Sequence, residues 1–336
     1  MYTKEELLEQ IAHTPKGAMR EAILNNPQIR NTLLNSGANV TLYSGEIVNN
    51  APSIKKSLEN VFVGLIQRKN KKGNFDGLGA LGGLAERTSS EYFNNLNPEE
   101  QFSLVGIKDD IILTDNIPTI TTDINIIRQN NVLREMKEEL QDIGILDITI
   151  NPKDMELIPM PNVKDDNYII NIWDGTGECY AITPYCHILK DTNKIIDSII
   201  EKSQEQDNGE VADYKKIKLF DALQAYGNIG KEHKLENGRD AQKDYRYPHE
   251  YIVTWALASK LMNGDENKMV QLAKEVQMHS SHPISFEKLA RDTKQNLEDL
   301  AKTLGITEQT LTSMENICKQ TYTNKLIQNK IIGKEF

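Results

Sequence analysis

The sequence predicts an α/β fold with helical segments at both ends. Three observations predict it: short β-branched apolar runs typical of buried strands, stretches of helical periodicity between them, and a continuous helical pattern after residue 263. The chain has 336 residues. At about 150 residues per domain, this length favours two domains, or one large domain with appendages. Apolar residues make up 38% and charged residues 26%, the balance of a folded globular chain.

The elements of the first part of the chain follow from local pattern. Apolar residues at helical spacing predict short helices over residues 3–36. The run VFVGLI at 61–66 is bounded by polar residues, so we predict a buried strand there. The Gly-rich segment DGLGALGGLAE at 76–86 follows, and we expect a loop leading to a tight turn at Gly82 and Gly83.

The later elements follow from the same periodicities. A helix is predicted between a cap at Asn130 or Asn131 and its end at Gly144, with Met136 and Leu140 on its apolar side. The other predicted strands are 102–107, 111–114, 147–150, 168–173 and 179–183. The remaining predicted elements are a strand-to-helix transition at 210–223, an apolar helix at 251–262 and helices through the rest of the chain.

Composition disfavours several functional classes. The formal charge of −10 does not favour diffuse binding to nucleic-acid phosphates. No run approaches the ~18 consecutive apolar residues of a membrane helix, and the charged N-terminal residues do not form the apolar core of a signal peptide. The three cysteines, Cys179, Cys186 and Cys318, cannot all pair within the chain and form no CxxC motif. We therefore expect a cytoplasmic protein with no membrane partner.

The sharpest chemical feature is the segment Arg-Glu-Met-Lys-Glu-Glu at 134–139. On a helix, Glu138 and Glu139 lie about 300° and 400° around the axis from Glu135, so the three carboxylates share one flank of a turn. A hard divalent cation such as Mg²⁺ would relieve their repulsion, because it prefers carboxylate oxygens, water and substrate phosphates. The planar guanidinium of Arg134 could tether a glutamate or a phosphate. The ordinary alternative is a solvated acidic face.

With its flanking segments, this helix resembles the signature of the Nudix hydrolase family. That signature is a Gly, a spacer, and an Arg-Glu-x-x-Glu-Glu helix closed by Gly and an aliphatic residue. The segments VGLIQR, GALGGLAE and REMKEELQDIGI would be its strand, loop and helix. The spacer from Gly83 to Arg134 is 51 positions, so the resemblance implies an insertion over about 88–130. It also implies a Nudix-like α/β/α sandwich with a mixed sheet.

The resemblance implies roles for the residues of the helix. Glu135, Glu138 and Glu139 would be catalytic metal ligands, and Arg134 would orient them. The carbonyl of Gly83 would lie beside the metal. The cofactor would be Mg²⁺ or Mn²⁺, which stabilises charge on phosphoryl oxygens and lowers the pKa of a bound water.

Four residues outside the helix complete the implied site. Glu210 would supply a further metal ligand, with Glu178 as the alternative. Arg68, Gly82 and Glu86 would contact the substrate. Arg68 ends the predicted strand, where contact with a phosphate is plausible.

The resemblance also implies a domain plan and a function. A helical N-terminal extension would occupy 1–57, a Nudix-like domain 58–263, and a helical tail 264–336. The domain would be a metal-dependent pyrophosphatase that binds a nucleotide and cleaves the diphosphate of a nucleoside diphosphate linked to another moiety, such as ADP-ribose, a nucleotide sugar or a dinucleotide. Two alternatives stay open: a nucleotide-sensing transcriptional regulator with a DNA-binding tail, and a catalytically inactive Nudix-like scaffold. A homo-oligomer is also left open.

Two other motifs have ordinary interpretations. Gly77, Gly79 and Gly82 spell G-x-G-x-x-G, but polar segments surround them where a dinucleotide-binding fold needs a strand and a helix. We therefore favour a Gly-rich loop. His279 and His282 have no Cys or third His at zinc spacing, so we expect a surface loop.

The tail has the spacing of a helix-turn-helix. The positions that define it are Ala301, Gly305 and Leu311, with Leu300, Leu304, Ile306 and Met314 as the interior. Residues 285–336 carry eight Lys and Arg against seven Asp and Glu, and the second helix would carry Glu308 and Glu315 without Arg. This charge suits a DNA groove poorly, so we expect a helical hairpin for packing or protein contact.

Overall fold

The structure is a computed structural model that describes part of the chain. The described residues are 36–69, 75–85, 110–114, 117–121, 136, 140, 154–158, 169–172, 179–182, 185–203, 211–225, 245, 248–293 and 295–332. The chain divides into two compact units. One comprises 1–39, 82–139 and 163–185, and the other 40–81, 140–162 and 186–336.

A seven-stranded mixed sheet is the centre of the described fold. The strands, in chain order, are β1 (Ser36–Ser44), β2 (Phe62–Lys69), β3 (Phe75–Gly79), β4 (Leu81–Ala85), β5 (Asp110–Thr114), β6 (Ile117–Thr121), β7 (Met155–Ile158), β8 (Ile169–Ile172), β9 (Cys179–Ile182), β10 (Tyr185–Lys190) and β11 (Val211–Lys218). The sheet has the order β11-β2-β1-β10-β7, with β3 paired to β2 and β4 paired to β1. Two separate antiparallel pairs, β5 with β6 and β8 with β9, lie in the first unit.

The helices cluster in the second half of the chain. They are α1 (Ile54–Ser57), α2 (Ile195–Ser203), α3 (Leu219–Ala222), α4 (Pro248–Leu261), α5 (Glu266–His279), α6 (Phe286–Asp292), α7 (Leu297–Leu304) and α8 (Glu308–Ile332). None of the described helices is both long and apolar enough to cross a membrane. The predicted cytoplasmic location stays a prediction.

Helices cover both faces of the sheet. Side chains alternate between the two faces along a strand, so Val63 and Leu65 of β2 point to the same face. Both belong to a buried core that also contains Trp255 of α4. Gly64 lies between them and faces the opposite way, where a Cβ at this position would be 3.0 Å from Ile196 Cγ1 of α2. The α/β class predicted from the sequence is therefore confirmed.

Aromatic rings connect α4 to its neighbours. The ring of Trp255 is fully buried and lies edge-on to Phe286 of α6, with centroids 5.1 Å apart. It lies edge-on to Tyr251 at 6.3 Å. The hydroxyl of Tyr251 donates a hydrogen bond of 2.8 Å to the carbonyl of Leu223. Because α4 is buried along most of its length, it joins the sheet and the tail helices into one core.

Carboxylates cap the starts of α1 and α2. Glu275 of α5 accepts hydrogen bonds from the backbone N–H groups of Ile54 and Lys55 at the start of α1. Asp191 does the same for Ile195 and Ile196 at the start of α2. These N–H groups have no partner within their own helix, and a negative charge there is favourable. Several acidic residues of this chain are therefore structural.

Gly64 of β2 is closely packed by Tyr214 of β11 and Ile196 of α2. A Cβ there would lie 2.3 Å from the hydroxyl oxygen of Tyr214. We expect Gly64→Ala to lower the free energy of unfolding by about 1–3 kcal/mol through overpacking. Urea unfolding followed by circular dichroism measures this loss. Adding Tyr214→Phe should recover part of it, and a Gly64→Ala chain as stable as wild type would contradict the packing.

Most predicted elements that fall on described residues are confirmed. The strands predicted at 61–66, 111–114, 168–173 and 179–183 correspond to β2, β5, β8 and β9. The transition at 210–223 corresponds to β11 and α3, and the helix at 251–262 to α4. The strands predicted at 102–107 and 147–150 lie outside the described residues, as do nearly all of the helices predicted at 3–36.

Two expectations are wrong. Gly82 and Gly83 lie within β4 and not in a turn, because the segment buries Leu78 and Leu81 against the sheet. Burial overrides the low strand propensity of glycine there. Residues 36–44, which we assigned to the helical N-terminal extension, form β1 in the interior of the sheet. Their buried apolar residues complete the sheet, and β6, β7, β10 and α2 are further elements without a sequence prediction.

Candidate functional site

The Glu-rich helix is described at two positions. Met136 and Leu140 are helical, and both side chains are buried. The two residues that we predicted on the apolar side of this helix are therefore buried, as expected. Arg134, Glu135, Glu138 and Glu139 lie outside the described residues, so their metal-binding role stays a prediction.

The two glycines of the implied site lie on a sheet strand. Gly82 and Gly83 belong to β4, which pairs with β1. Glycine in a strand allows another group to approach the backbone closely. Glu86 directly follows β4 and lies outside the described residues.

The register between β2 and β11 relates two of the predicted site positions. Arg68, at the end of β2, pairs across the sheet with Val211, the first residue of β11. Glu210 directly precedes Val211 and lies outside the described residues, as does Glu178. The position of Arg68 thus lies opposite Val211, which directly follows Glu210 in the sequence. The register shifts between Val211 and Asp213, so the pairing is irregular at this end of the two strands.

A buried carboxylate near the Gly-rich segment has no counterpart in the sequence predictions. Glu250 lies in the first turn of α4 and is only 4% exposed. Its Oε1 accepts a hydrogen bond of 3.1 Å from the backbone N–H of Ala80, between β3 and β4. The carboxylate also contributes to raising the pKa of Cys186 and of Tyr245, for which burial is the main cause. An acid at the start of an apolar helix is the only local signal that could have indicated it.

Cys186 and Cys318 are unsuited to nucleophilic catalysis. Cys186 of β10 and Cys318 of α8 are both free and buried. Burial, with a smaller effect of Glu315, raises the pKa of the Cys318 thiol to about 12. Burial likewise raises the pKa of Cys186 well above its usual range. Because the thiolate is the nucleophile, both side chains are inert at neutral pH.

The two lesser motifs have structural roles. Gly77 and Gly79 lie in β3 and Gly82 in β4, so strand residues stand where a dinucleotide-binding fold would open a helix. At the other motif, the carbonyl of His282 accepts a hydrogen bond from Gln277 Nε2. Within the described ranges, no group of three His, Cys, Asp or Glu residues could hold a metal ion.

Two of the tail helices, α7 and α8, meet at a glycine in the left-handed conformation. Gly305, with φ of 67°, ends α7 and leads into α8. The predicted interior is buried: Leu300, Ala301, Leu304, Ile306, Leu311 and Met314. Glu315 is also buried, and it accepts hydrogen bonds from the backbone N–H of Phe286 and the hydroxyl of Ser285 at the start of α6. Glu315 therefore holds α6 in place and does not lie on an exposed recognition surface.

Comparisons with known proteins give no assignment. No family model matches the chain. No curated protein matches it at a meaningful level of similarity. A functional conclusion therefore depends on the residues themselves.

Proposed function

We propose that the chain is a Nudix-type hydrolase that uses a divalent metal to cleave the diphosphate of a nucleoside diphosphate linked to another moiety. The observation that carries this proposal is the Arg-Glu-x-x-Glu-Glu segment at 134–139, whose apolar residue Met136 is helical and buried together with Leu140. On an α-helix these two residues lie about 40° apart. If residues 134–140 form one continuous helix, the mean direction of the three glutamates would be about 130° from this pair, on a flank turned away from the buried side.

The donor set suits a hard divalent cation. The carboxylates of Glu135, Glu138 and Glu139 and the carbonyl of Gly83 are oxygen donors, the type that Mg²⁺ and Mn²⁺ prefer. These residues would hold the metal. When bound, the metal supplies an activated water and stabilises charge on the phosphoryl oxygens. Gly83 fits this role because β4 presents its backbone without a side chain.

The protein groups have separate tasks in this proposal. Arg134 orients the glutamates through its guanidinium, and one glutamate accepts the proton of the attacking water. Arg68 binds a substrate phosphate, for which its forked geometry is suited. Gly82 and Glu86 contact the substrate beside it, and Glu210, next to the β2 and β11 pairing, adds a metal ligand. Direct attack by water agrees with the burial and raised pKa of the thiols of Cys186 and Cys318.

A substrate screen tests the proposal. The full chain is incubated with nucleotide sugars, dinucleotides, dinucleoside polyphosphates and capped RNA in Mg²⁺, and released phosphate is read after phosphatase treatment. We expect hydrolysis of at least one class that vanishes in chelator and returns with Mg²⁺ or Mn²⁺. Activity indifferent to metal would contradict the proposal. Metal binding without hydrolysis of any substrate would favour the inactive scaffold.

A second candidate is a nucleotide-sensing regulator that binds DNA through its tail. The observation in its favour is the turn at Gly305 between α7 and α8, with the interior of a helix-turn-helix buried on both sides. Against it, residues 308–318 at the start of α8 contain no Lys or Arg, while Glu308 is exposed there. Phosphate contacts need cations.

A duplex titration separates the two candidates. We expect the full chain to leave a labelled DNA duplex unbound at low ionic strength, because the exposed start of α8 carries no positive charge. Fluorescence anisotropy measures the binding. A rise in anisotropy that weakens with salt would support the regulator.

A further inference from the structure

The Gly-rich segment is held at two nearby points, one by Glu250 at the start of α4 and the other by Tyr245, three residues before that helix. Glu250 Oε1 accepts the hydrogen bond from the N–H of Ala80 at 3.1 Å. Two residues earlier, Leu78 forms a parallel backbone bridge with Tyr245. The hydroxyl groups of Tyr245 and Thr254 are 2.6 Å apart, and Thr254 donates to the carbonyl of Glu250 at 3.1 Å. These groups therefore form one connected network whose two ends reach the backbone at 78–80.

The network is buried, so the presence of a carboxylate in it needs a structural explanation. Glu250 is 4% exposed, and Tyr245 and Thr254 are at most 1% exposed. A carboxylate removed from water is costly unless it is well bonded, and apolar residues fill most of α4. An apolar side chain could pack at position 250, but it could not accept the Ala80 hydrogen bond. One contribution of Glu250 that an apolar side chain could not make is thus the acceptor that it gives to the backbone of the Gly-rich segment.

The contact with Ala80 matters because this residue lies just before the two glycines of β4. Ala80 precedes β4, and Gly82 and Gly83 follow within three residues. Glycine has the largest backbone freedom and no side chain by which packing could fix it. The direction in which β4 starts therefore depends on its pairing with β1 and on neighbouring anchors, and the Ala80 N–H is an anchored group two residues before Gly82.

We propose that Glu250 is a positioning residue that fixes the backbone of Gly82 and Gly83 through the N–H of Ala80. This inference rests on the proposed function, in which the Gly83 carbonyl lies beside the catalytic metal. A displacement of about 1 Å at a catalytic centre can cost about 100-fold in rate. Losing the Glu250 acceptor should therefore impair metal use and turnover, although Glu250 does not touch the substrate.

The test compares two substitutions at this position with one elsewhere. Glu250→Met keeps the length and packing of the side chain but removes the acceptor, whereas Glu250→Gln keeps an acceptor oxygen. Glu315→Met is the matched control, since Glu315 is also buried and also accepts a backbone hydrogen bond, but at α6. Four quantities are measured on the full chain: kcat, the Mg²⁺ concentration for half-maximal rate, hydrogen exchange of peptides covering 76–85, and the urea unfolding midpoint.

We expect Glu250→Met to lower kcat by about 10- to 100-fold, to raise the Mg²⁺ requirement, and to accelerate exchange at 76–85. Glu250→Gln should stay within about threefold of wild type in rate. Glu315→Met should lower only the unfolding midpoint. If Glu250→Met behaves like Glu315→Met, the positioning role is wrong while the hydrolase stands. If the wild type hydrolyses no substrate, the proposed function fails and the positioning role fails with it.

Discussion

Replacing Glu139 by glutamine should abolish metal-dependent hydrolysis and leave the fold unchanged. Glutamine has nearly the same shape, but in the proposed site it would remove one negative ligand from the cation that stabilises phosphoryl charge. A metal contributes several kcal/mol to such a transition state, so the loss of a ligand should lower kcat by about 100- to 1,000-fold. The measurement is the rate of phosphate release at saturating Mg²⁺, with the best substrate of the screen.

A control variant shows whether the loss of turnover is specific to Glu139. Glu308→Gln removes the same charge from an exposed position in the first turn of α8. It should keep wild-type turnover. Both variants should also keep the wild-type circular dichroism spectrum and urea midpoint. Unchanged turnover in Glu139→Gln would count directly against the metal-binding role of the Glu-rich helix.

The largest loss of stability is expected for Trp255→Ala. Trp255 is fully buried and touches the rings of Tyr251 and Phe286, so its removal opens a cavity where α4 meets α6. Such substitutions cost about 3–5 kcal/mol. Urea unfolding followed by circular dichroism and by tyrosine fluorescence measures the change in the free energy of unfolding.

The conservative substitution separates packing from hydrogen bonding. Within the described part of the chain, Trp255 Nε1 makes no hydrogen bond. Trp255→Phe keeps an aromatic ring and loses no such bond, so it should cost clearly less than Trp255→Ala. Equal losses for the two variants, or none for Trp255→Ala, would contradict this description of the core.

The sequence predicts elements well where the pattern is local. The β-branched run at 61–66 and the apolar helix at 251–262 appear as β2 and α4, because burial on both sides requires continuous apolar residues. The Gly-rich segment at 76–86 lacks such a signal. Its strands β3 and β4 form through pairing with β2 and β1, which the local sequence does not encode.

The candidate site also has a part that the local sequence predicts and a part that depends on long-range contacts. The buried side of the Glu-rich helix follows from spacing, and Met136 and Leu140 are helical and buried. Glu250 could not be predicted, since its contact joins residues 170 positions apart. For Glu315 the local pattern misleads. A helix-turn-helix would place it on the recognition helix, but in the fold its carboxylate is buried and caps α6.

The central claim is that three carboxylates on one helical turn bind a divalent cation. A titration of the full chain with Mn²⁺, with free Mn²⁺ read by electron paramagnetic resonance, tests it most directly because no substrate is needed. We predict saturable binding by the wild type that disappears when Glu135, Glu138 and Glu139 are all replaced by glutamine. Equal Mn²⁺ binding by the two chains would contradict the claim.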